Sequence, residues 1–445
     1  MAKSLEHRVR HLHFLRRERR ERREPYEPYE PYERYAWSGC AVVASVLALT
    51  SDLRPHQVWG VLAGTGYAVA AVLARGARIR STAPNARIRS TARVAAVVGA
   101  VVVPLVLLVA AGLRQSEVAV VERSGHLLLT TGSPYVTHPT AVADFNPYLP
   151  GMAFFGVLPG DTRWWMGGLF VAALTAAGLR AWLVACPLIA LPLAVGGIDL
   201  PVVGLMCLGV ALAGQGRAAR AGLVLGVASA LKWTAWPALP ATLALLAVCR
   251  GRRTAWRFSA VTLPTATAAV LPFALHDPAG FYRSVIAFPL GLTDTISPAA
   301  SPLPGHLLAT YLPGGRELAL ALLAAGALLL AGSLVVRPPR TPAALATRLA
   351  VGLSLATALM PATRFGYLIY PLLLGALAYR TTERRTVPVD IPVAPTSTSA
   401  PTSTSAPTST SAPTSTSAPT STSVPTSTSV PTSAPVPAFL EKTPV

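Results

Sequence analysis

The chain has 445 residues, of which 52% are hydrophobic and 13% charged, and a formal net charge of +19. Soluble globular chains carry roughly 25% charged residues, so an ordinary soluble domain is excluded. The basic balance does not point to nucleic acid, because the arginines sit in clusters between apolar runs, as they do in cytoplasmic loops of membrane proteins.

Residues 1–35 form a basic arm. RRERRERRE suits a helix with i,i+4 charge pairs, and the EPYEPYEPYERY repeat behind it cannot continue one because of its prolines. The arm reads either as a solvated cytoplasmic tail or as a segment lying on anionic headgroups. Its charge leaves no cleavable signal peptide at the start of the chain. Candidate membrane spans follow at about 37–53, 57–74, 94–113, 164–179, 183–197, 200–214, 220–232, 236–249, 258–275, 316–336, 347–361 and 365–379. Runs near 18 to 20 residues match a hydrocarbon core about 30 Å thick, and several of these are shorter. The predicted fold class is therefore all-α, a polytopic membrane helical bundle of about twelve transmembrane helices with disordered termini.

With the arm inside, alternation through these spans puts every basic break (75–93, Arg180, 216–220, 250–257, 337–348 and the segment after Arg380) on the cytoplasmic side. The acids behave in the opposite way. Asp52, Glu117, Glu122, Asp144, Asp161, Asp199, Asp277, Asp294 and Glu317 all fall outside, which the positive-inside rule does not require. The expected localisation is the cell membrane, multi-pass, with both termini cytoplasmic. Four regions result: the cytoplasmic arm 1–35, an N-terminal hairpin and basic loop 36–93, a transmembrane domain 94–380 with long outer loops 114–163 and 276–315, and a tail 381–445. The tail repeats PTSTSA and has too little apolar content to fold. ARIRSTA occurs twice, at 77–83 and 86–92, as a tandem duplication in a basic loop. Cys40, Cys186, Cys207 and Cys249 form no CxxC pair and read as small core residues.

The outer breaks carry the candidate chemistry. Glu117 and Glu122 lie just past the third span, where a partly desolvated carboxylate can act as a general base; the alternative is a solvated loop acid. ADFNPYLPGM brings Asp144, Asn146 and Tyr148 into a proline-stiffened, non-helical segment. In GGIDLPV, Asp199 either caps a helix N-terminus or contacts substrate. In ALKWTAWPALP, Lys232 either snorkels to the interface or faces a cavity and holds an anion. In PATRFGYLIYP, Arg364 has the guanidinium fork that suits phosphate, or serves as an interfacial anchor beside Tyr367 and Tyr370. No GxxxxGKS, HExxH or GxSxG sits in a usable context.

SGHLLLTTGSPY, NPYLPGM, GGIDLPV, ALKWTAWPALP and PATRFGYLIYP, in this order after an acid behind an early span, resemble the polyprenyl-phosphate-sugar-dependent glycosyltransferases of the GT-C fold. Glycosyltransferase family 87, which includes alpha-mannosyltransferases of actinobacterial envelopes, is the nearest group. The resemblance covers roughly 94–380. It implies an inverting transfer of a sugar, most simply mannose, from a polyprenyl-phosphate donor to a glycan or glycolipid acceptor on the outer face, within membrane lipid. By this resemblance Glu117 is the base, with Glu122 and Asp144 as alternates, and Lys232 and Arg364 contact phosphate. Asn146, Tyr148 and Asp199 are further candidates for substrate contact. No metal and no cofactor are expected. The competing functions are a lipid or solute transporter or flippase, which would need ionisable residues deep in the spans, and a non-catalytic membrane scaffold.

Overall fold

The structure, a computed structural model, describes residues 33–79, 86–295 and 297–386. The expectations for the charge run of the arm and for the repeat tail fall outside these residues. Every predicted span except 183–197 overlaps one continuous helix, because a backbone in an apolar run must satisfy its own N–H and C=O groups. The N-terminal hairpin is α1 (Glu33–Thr50) and α2 (Arg54–Ile79). Then come α3 (Ala86–Val97), a π-helical turn (Val98–Val102) and α4 (Val103–Ala110), in one continuous rod. Pro104 explains the π turn: its ring would clash with the carbonyl four residues back, Ala100, and widening the helix there relieves the clash.

The expected first outer loop, 114–163, contains a helix that was not predicted, α5 (Ser116–Thr131). The bundle continues with α6 (Thr162–Ala176), α7 (Pro187–Val195), α8 (Asp199–Gly214), α9 (Ala218–Leu231), α10 (Ala238–Arg250) and α11 (Arg252–His276). After a short α12 (Pro304–Tyr311) in the second outer loop come α13 (Gly315–Val336), α14 (Pro342–Leu359) and α15 (Ile369–Thr386). The expected span 183–197 is broken. Cys186 precedes Pro187 and is held extended, which stops helix propagation from the 3₁₀ turn Ala181–Ala185 into α7. The nine residues of α7 reach about 14 Å, less than half of a bilayer core. Among the described residues there is no strand, only one isolated parallel bridge between Ala300 and Thr363.

Five helical stretches are long and apolar enough to cross a membrane: Arg54–Arg75, Ser90–Ala110, Arg252–His276, Gly315–Val336 and Pro342–Leu359. Tyr35–Thr50, α8 and α9 are apolar but shorter. Burial separates the helices by position. In α8 nearly every side chain from Leu200 to Ala213 is buried, so it is the axis of the core. In α13 only Gly315, Ala319 and Gly326 are buried, and Leu328, Leu329, Val335 and Val336 are exposed. An apolar exposed face of this kind is the signature of contact with lipid. The cysteines divide similarly. Cys207 is buried in the core as expected, whereas Cys249 is exposed and reaches the Arg340 carbonyl at 3.2 Å.

Contacts sort the helix ends into two groups. Gln57 reaches the Ser51 carbonyl and His56 meets Gln115; the Gln115 N–H donates to Val195 and the Leu149 N–H to Leu231. Thr295 bonds Thr140, Arg316 bonds the carbonyls of Leu290 and Gly291, and His306 meets the Pro361 carbonyl. The loops that carry the nine acids thus share one end. At the opposite end Arg93 pairs with Glu33 at 2.9 Å and lies 5.0 Å over the Trp182 ring. There Pro342 also packs on Gly214, beside Arg250. Acids and basic breaks occupy opposite ends, as the charge pattern expects.

Candidate functional site at the acidic end of the bundle

The local sequence around residue 196 sets the position of the acids. Gly196 ends α7 with φ of +103°, a conformation that a Cβ-bearing residue rarely adopts, and a Cβ there would stand 2.1 Å from Val118. The turn therefore brings α5, one residue past Glu117, directly against the turn that leads to Asp199. Arg163 locks the same corner. Its fully buried guanidinium binds both Asp161 oxygens at 2.8 Å, the Leu113 carbonyl at 2.7 Å and the Ala194 carbonyl at 3.3 Å. Leu113 and Ala194 lie at the ends of α4 and α7, where carbonyls lack helical partners. Burial pushes the Asp161 carboxyl up, but the hydrogen bonds and charge of Arg163 outweigh it and hold the group below the usual carboxylate range.

Two ion pairs occupy the space above this corner. Glu117, in the first turn of α5, pairs with Arg364; both side chains are partly shielded. Arg364 is held from both sides of its own backbone. Thr363 exchanges hydrogen bonds with Ala299 and Ser301, and the Phe365 N–H donates to the Ser301 hydroxyl at 3.0 Å. The second pair is deeper. Lys232 is 8% exposed and its Nζ lies 2.6 Å from Asp199 Oδ1. The same oxygen accepts from the Tyr370 hydroxyl at 2.5 Å, and Thr234 meets that hydroxyl at 2.7 Å. The Lys232 ammonium also lies 4.7 Å from the Tyr367 ring and 5.8 Å from the Tyr148 ring, close enough for cation–π attraction. Tyr367 closes the 3₁₀ turn that begins behind Arg364, since its N–H donates to the Arg364 carbonyl. One turn therefore joins both pairs.

Several alternatives left open by the sequence are settled by these contacts. Lys232 does not snorkel; it is buried. Asp199 does not cap its helix, because the N-cap is Ile198 and the carboxylate turns to Lys232 and Tyr370. Tyr148, Tyr367 and Tyr370 face inward. The outward aromatics at this end are Trp164, Trp165, Trp233 and Trp236, each 36% exposed or more, and these suit an interfacial belt. Asn146 and Tyr148 are brought in by the first outer loop. The Asn146 side chain bridges the Pro134 carbonyl and the Tyr148 N–H, and Tyr135 donates to the Tyr148 carbonyl at 3.0 Å. Asn146 is thus spent on the loop itself. The loop is docked on α9 by Leu149 and by Gly151, where a Cβ would stand 2.6 Å from the Ala230 carbonyl.

The other two candidate acids differ from Glu117. Glu122 pairs with Arg114 at 2.6 Å in a more exposed position. Asp144 accepts from the N–H groups of Thr140 and Ala141, and these bonds hold its carboxyl below the usual range; a carboxylate so stabilised is a weak proton acceptor. Sequence reasoning missed His56, Gln115, Thr234, and the inward roles of Tyr367 and Tyr370. The His56 Nε2 and the Gln115 amide are 2.9 Å apart, and they tie the N-terminal hairpin to the start of α5. Among the described residues, no three His, Cys, Asp or Glu side chains are grouped to hold a metal ion.

What the arrangement offers is a carboxylate able to accept a proton, next to cations able to hold an anion, on the rim of an apolar bundle. Residues 172–361 match the model of glycosyltransferase family 87. This part of the chain is similar to that family. The match indicates a membrane glycosyltransferase, and the family resemblance read from the sequence is borne out. The matched segment contains Asp199 and Lys232, while Glu117 precedes it and Arg364 follows it by three residues. No curated protein and no solved structure matches the chain.

Proposed function

We propose that the protein is an inverting hexosyltransferase, most simply a mannosyltransferase, of a GT-C-like membrane bundle with twelve crossings and cytoplasmic termini. Its donor is a polyprenyl-phosphate sugar and its acceptor an extracytoplasmic glycan or glycolipid. A lipid-linked donor arrives in the bilayer plane, and the exposed apolar helices beside the acidic end give it a surface to approach along. Glu117 takes the proton of the acceptor hydroxyl, the new glycosidic bond forms at the sugar C1, and the C1–O bond to phosphate breaks. The leaving polyprenyl phosphate carries the electron pair, and Arg364 and Lys232 stabilise its charge. Asp199 and Tyr370 hold Lys232, while Tyr148 and Tyr367 offer ring faces to the sugar. Glu122 is the alternate acid at the rim.

The observation that carries this reading is the direct contact of Glu117 with Arg364, one turn from the Lys232 cluster. A transporter would place its charges along a path through the membrane midplane; here they gather at one end. The test is transfer from labelled polyprenyl-phosphate mannose to a panel of glycan acceptors by the purified protein in lipid. Glu117→Gln should lower transfer by at least about 10²-fold without lowering membrane expression. Full activity in that variant rejects Glu117 as the base, and no transfer by the unaltered chain to any acceptor rejects the donor class.

A further inference from the structure

The two groups that the proposed reaction needs most are engaged with each other: the Glu117 carboxylate sits on the Arg364 guanidinium. An arginine-bound carboxylate is a poor base, since the cation stabilises its charged form. A carboxylate-bound arginine is equally unready for phosphate. The pair is also the less buried of the two at this site. The Arg364 side chain is 36% exposed against 10% for Lys232, so an incoming anion reaches the first before the second. Lys232 is further fixed by Asp199, itself anchored by Tyr370, whereas Glu117 makes one other bond, from the exposed Ser116 hydroxyl at 3.2 Å. The backbone on either side of Arg364 is held by residues 299–301, which keeps its guanidinium within reach of the rim. The Glu117 carboxylate, with only that exposed hydroxyl as a second partner, can turn away by rotation of its side chain.

We infer that the donor phosphate binds by displacing the Glu117 carboxylate from Arg364, so that donor binding itself releases the base. This rests on the proposed reading of the site. The phosphate takes over the guanidinium fork, a geometry it fits bidentately, and Glu117 is left without its cation and becomes a stronger proton acceptor. Before the donor arrives the base is silenced. Donor therefore binds before the acceptor is deprotonated. The device also suppresses transfer to water when the donor is misplaced, because a phosphate that has not reached Arg364 leaves Glu117 paired.

The inference predicts that removing the carboxylate improves donor binding while destroying transfer. Binding of a polyprenyl monophosphate, which cannot react, is measured to the full chain in lipid nanodiscs. Glu117→Gln and Glu117→Ala should each bind it at least about tenfold tighter than the unaltered protein, and Asp52→Asn, at an exposed acid of the same end, should bind it unchanged. Equal or weaker binding in a folded Glu117 variant overturns the displacement. If both variants fail to fold, the unaltered chain decides the matter. Carbodiimide labelling of Glu117, read by mass spectrometry, should rise on saturation with the monophosphate; no rise overturns the inference. The transfer assay stands apart: a Glu117→Gln chain that still transfers sugar refutes the base assignment, whereas a dead variant with unimproved phosphate binding refutes only the exchange.

Discussion

At one end of the bundle Lys232 and Asp199 meet at 2.6 Å with both side chains largely out of solvent. At the other, Arg250 reaches the Gly214 carbonyl at 3.5 Å from an exposed position. Both ends are rich in charge and the second also holds a part-shielded pair, Arg93 with Glu33, but among the described residues the Lys232–Asp199 pair is the more deeply buried and has tyrosine rings facing it. Charge that orients a chain in a membrane can stay wet. Charge that does chemistry is taken out of water, where each contact counts for more.

The sharpest way to break this contrast is Lys232→Ala, which leaves Asp199 buried without its cation. Breaking a buried pair by removing one partner costs roughly 3–5 kcal/mol, so a marked fall in thermal midpoint and loss of transfer are expected; a stable, active variant would make the two ends equivalent. Gly196→Ala should come next. It forces a Cβ onto Val118 at a positive φ, shifts the start of α5, and should cut kcat at least about tenfold with a smaller change in melting. Tyr370→Phe removes one hydrogen bond to the Asp199 carboxylate. About 2 kcal/mol of stability is expected to go, measured by denaturation in detergent, with Lys232 still in place. Arg250→Ala sharpens the comparison from the other side. An exposed arginine should be worth no more than about 0.5 kcal/mol, and transfer should be unchanged.

The long helices were legible because hydropathy reports them directly, and the alternation of basic breaks and acids predicted which ends lie together. The helix α5 was not legible, since SEVAVVERSGHLLLTT mixes charge and apolar residues at the membrane exit and reads as loop; the Gly132 that ends it with φ of +76° was the available signal. The break at Pro187 was also visible as Cys-Pro inside an apolar run, but length alone favoured one span. Of the site, Glu117, Asp199, Lys232 and Arg364 stood out as ionisable groups at apolar boundaries. Their partners did not. Nothing local marks Tyr370 as bound to Asp199, or His56 as meeting Gln115, because these pairs are 171 and 59 positions apart. Tyr367 and Tyr370 lie in a sequence that fits an interfacial anchor equally well, and only packing decides which way such rings face.

The Glu117–Arg364 contact spans 247 positions of the chain, and this bears on biosynthesis. During synthesis the first outer loop emerges long before the turn that carries Arg364. Until the turn between α14 and α15 is made, nothing joins the Glu117 carboxylate to the Arg364 guanidinium, so an unfinished chain holding every earlier segment lacks this pair. The two halves of the proposed site meet only with the last pair of helices, and a chain truncated ahead of residue 364 lacks one of them.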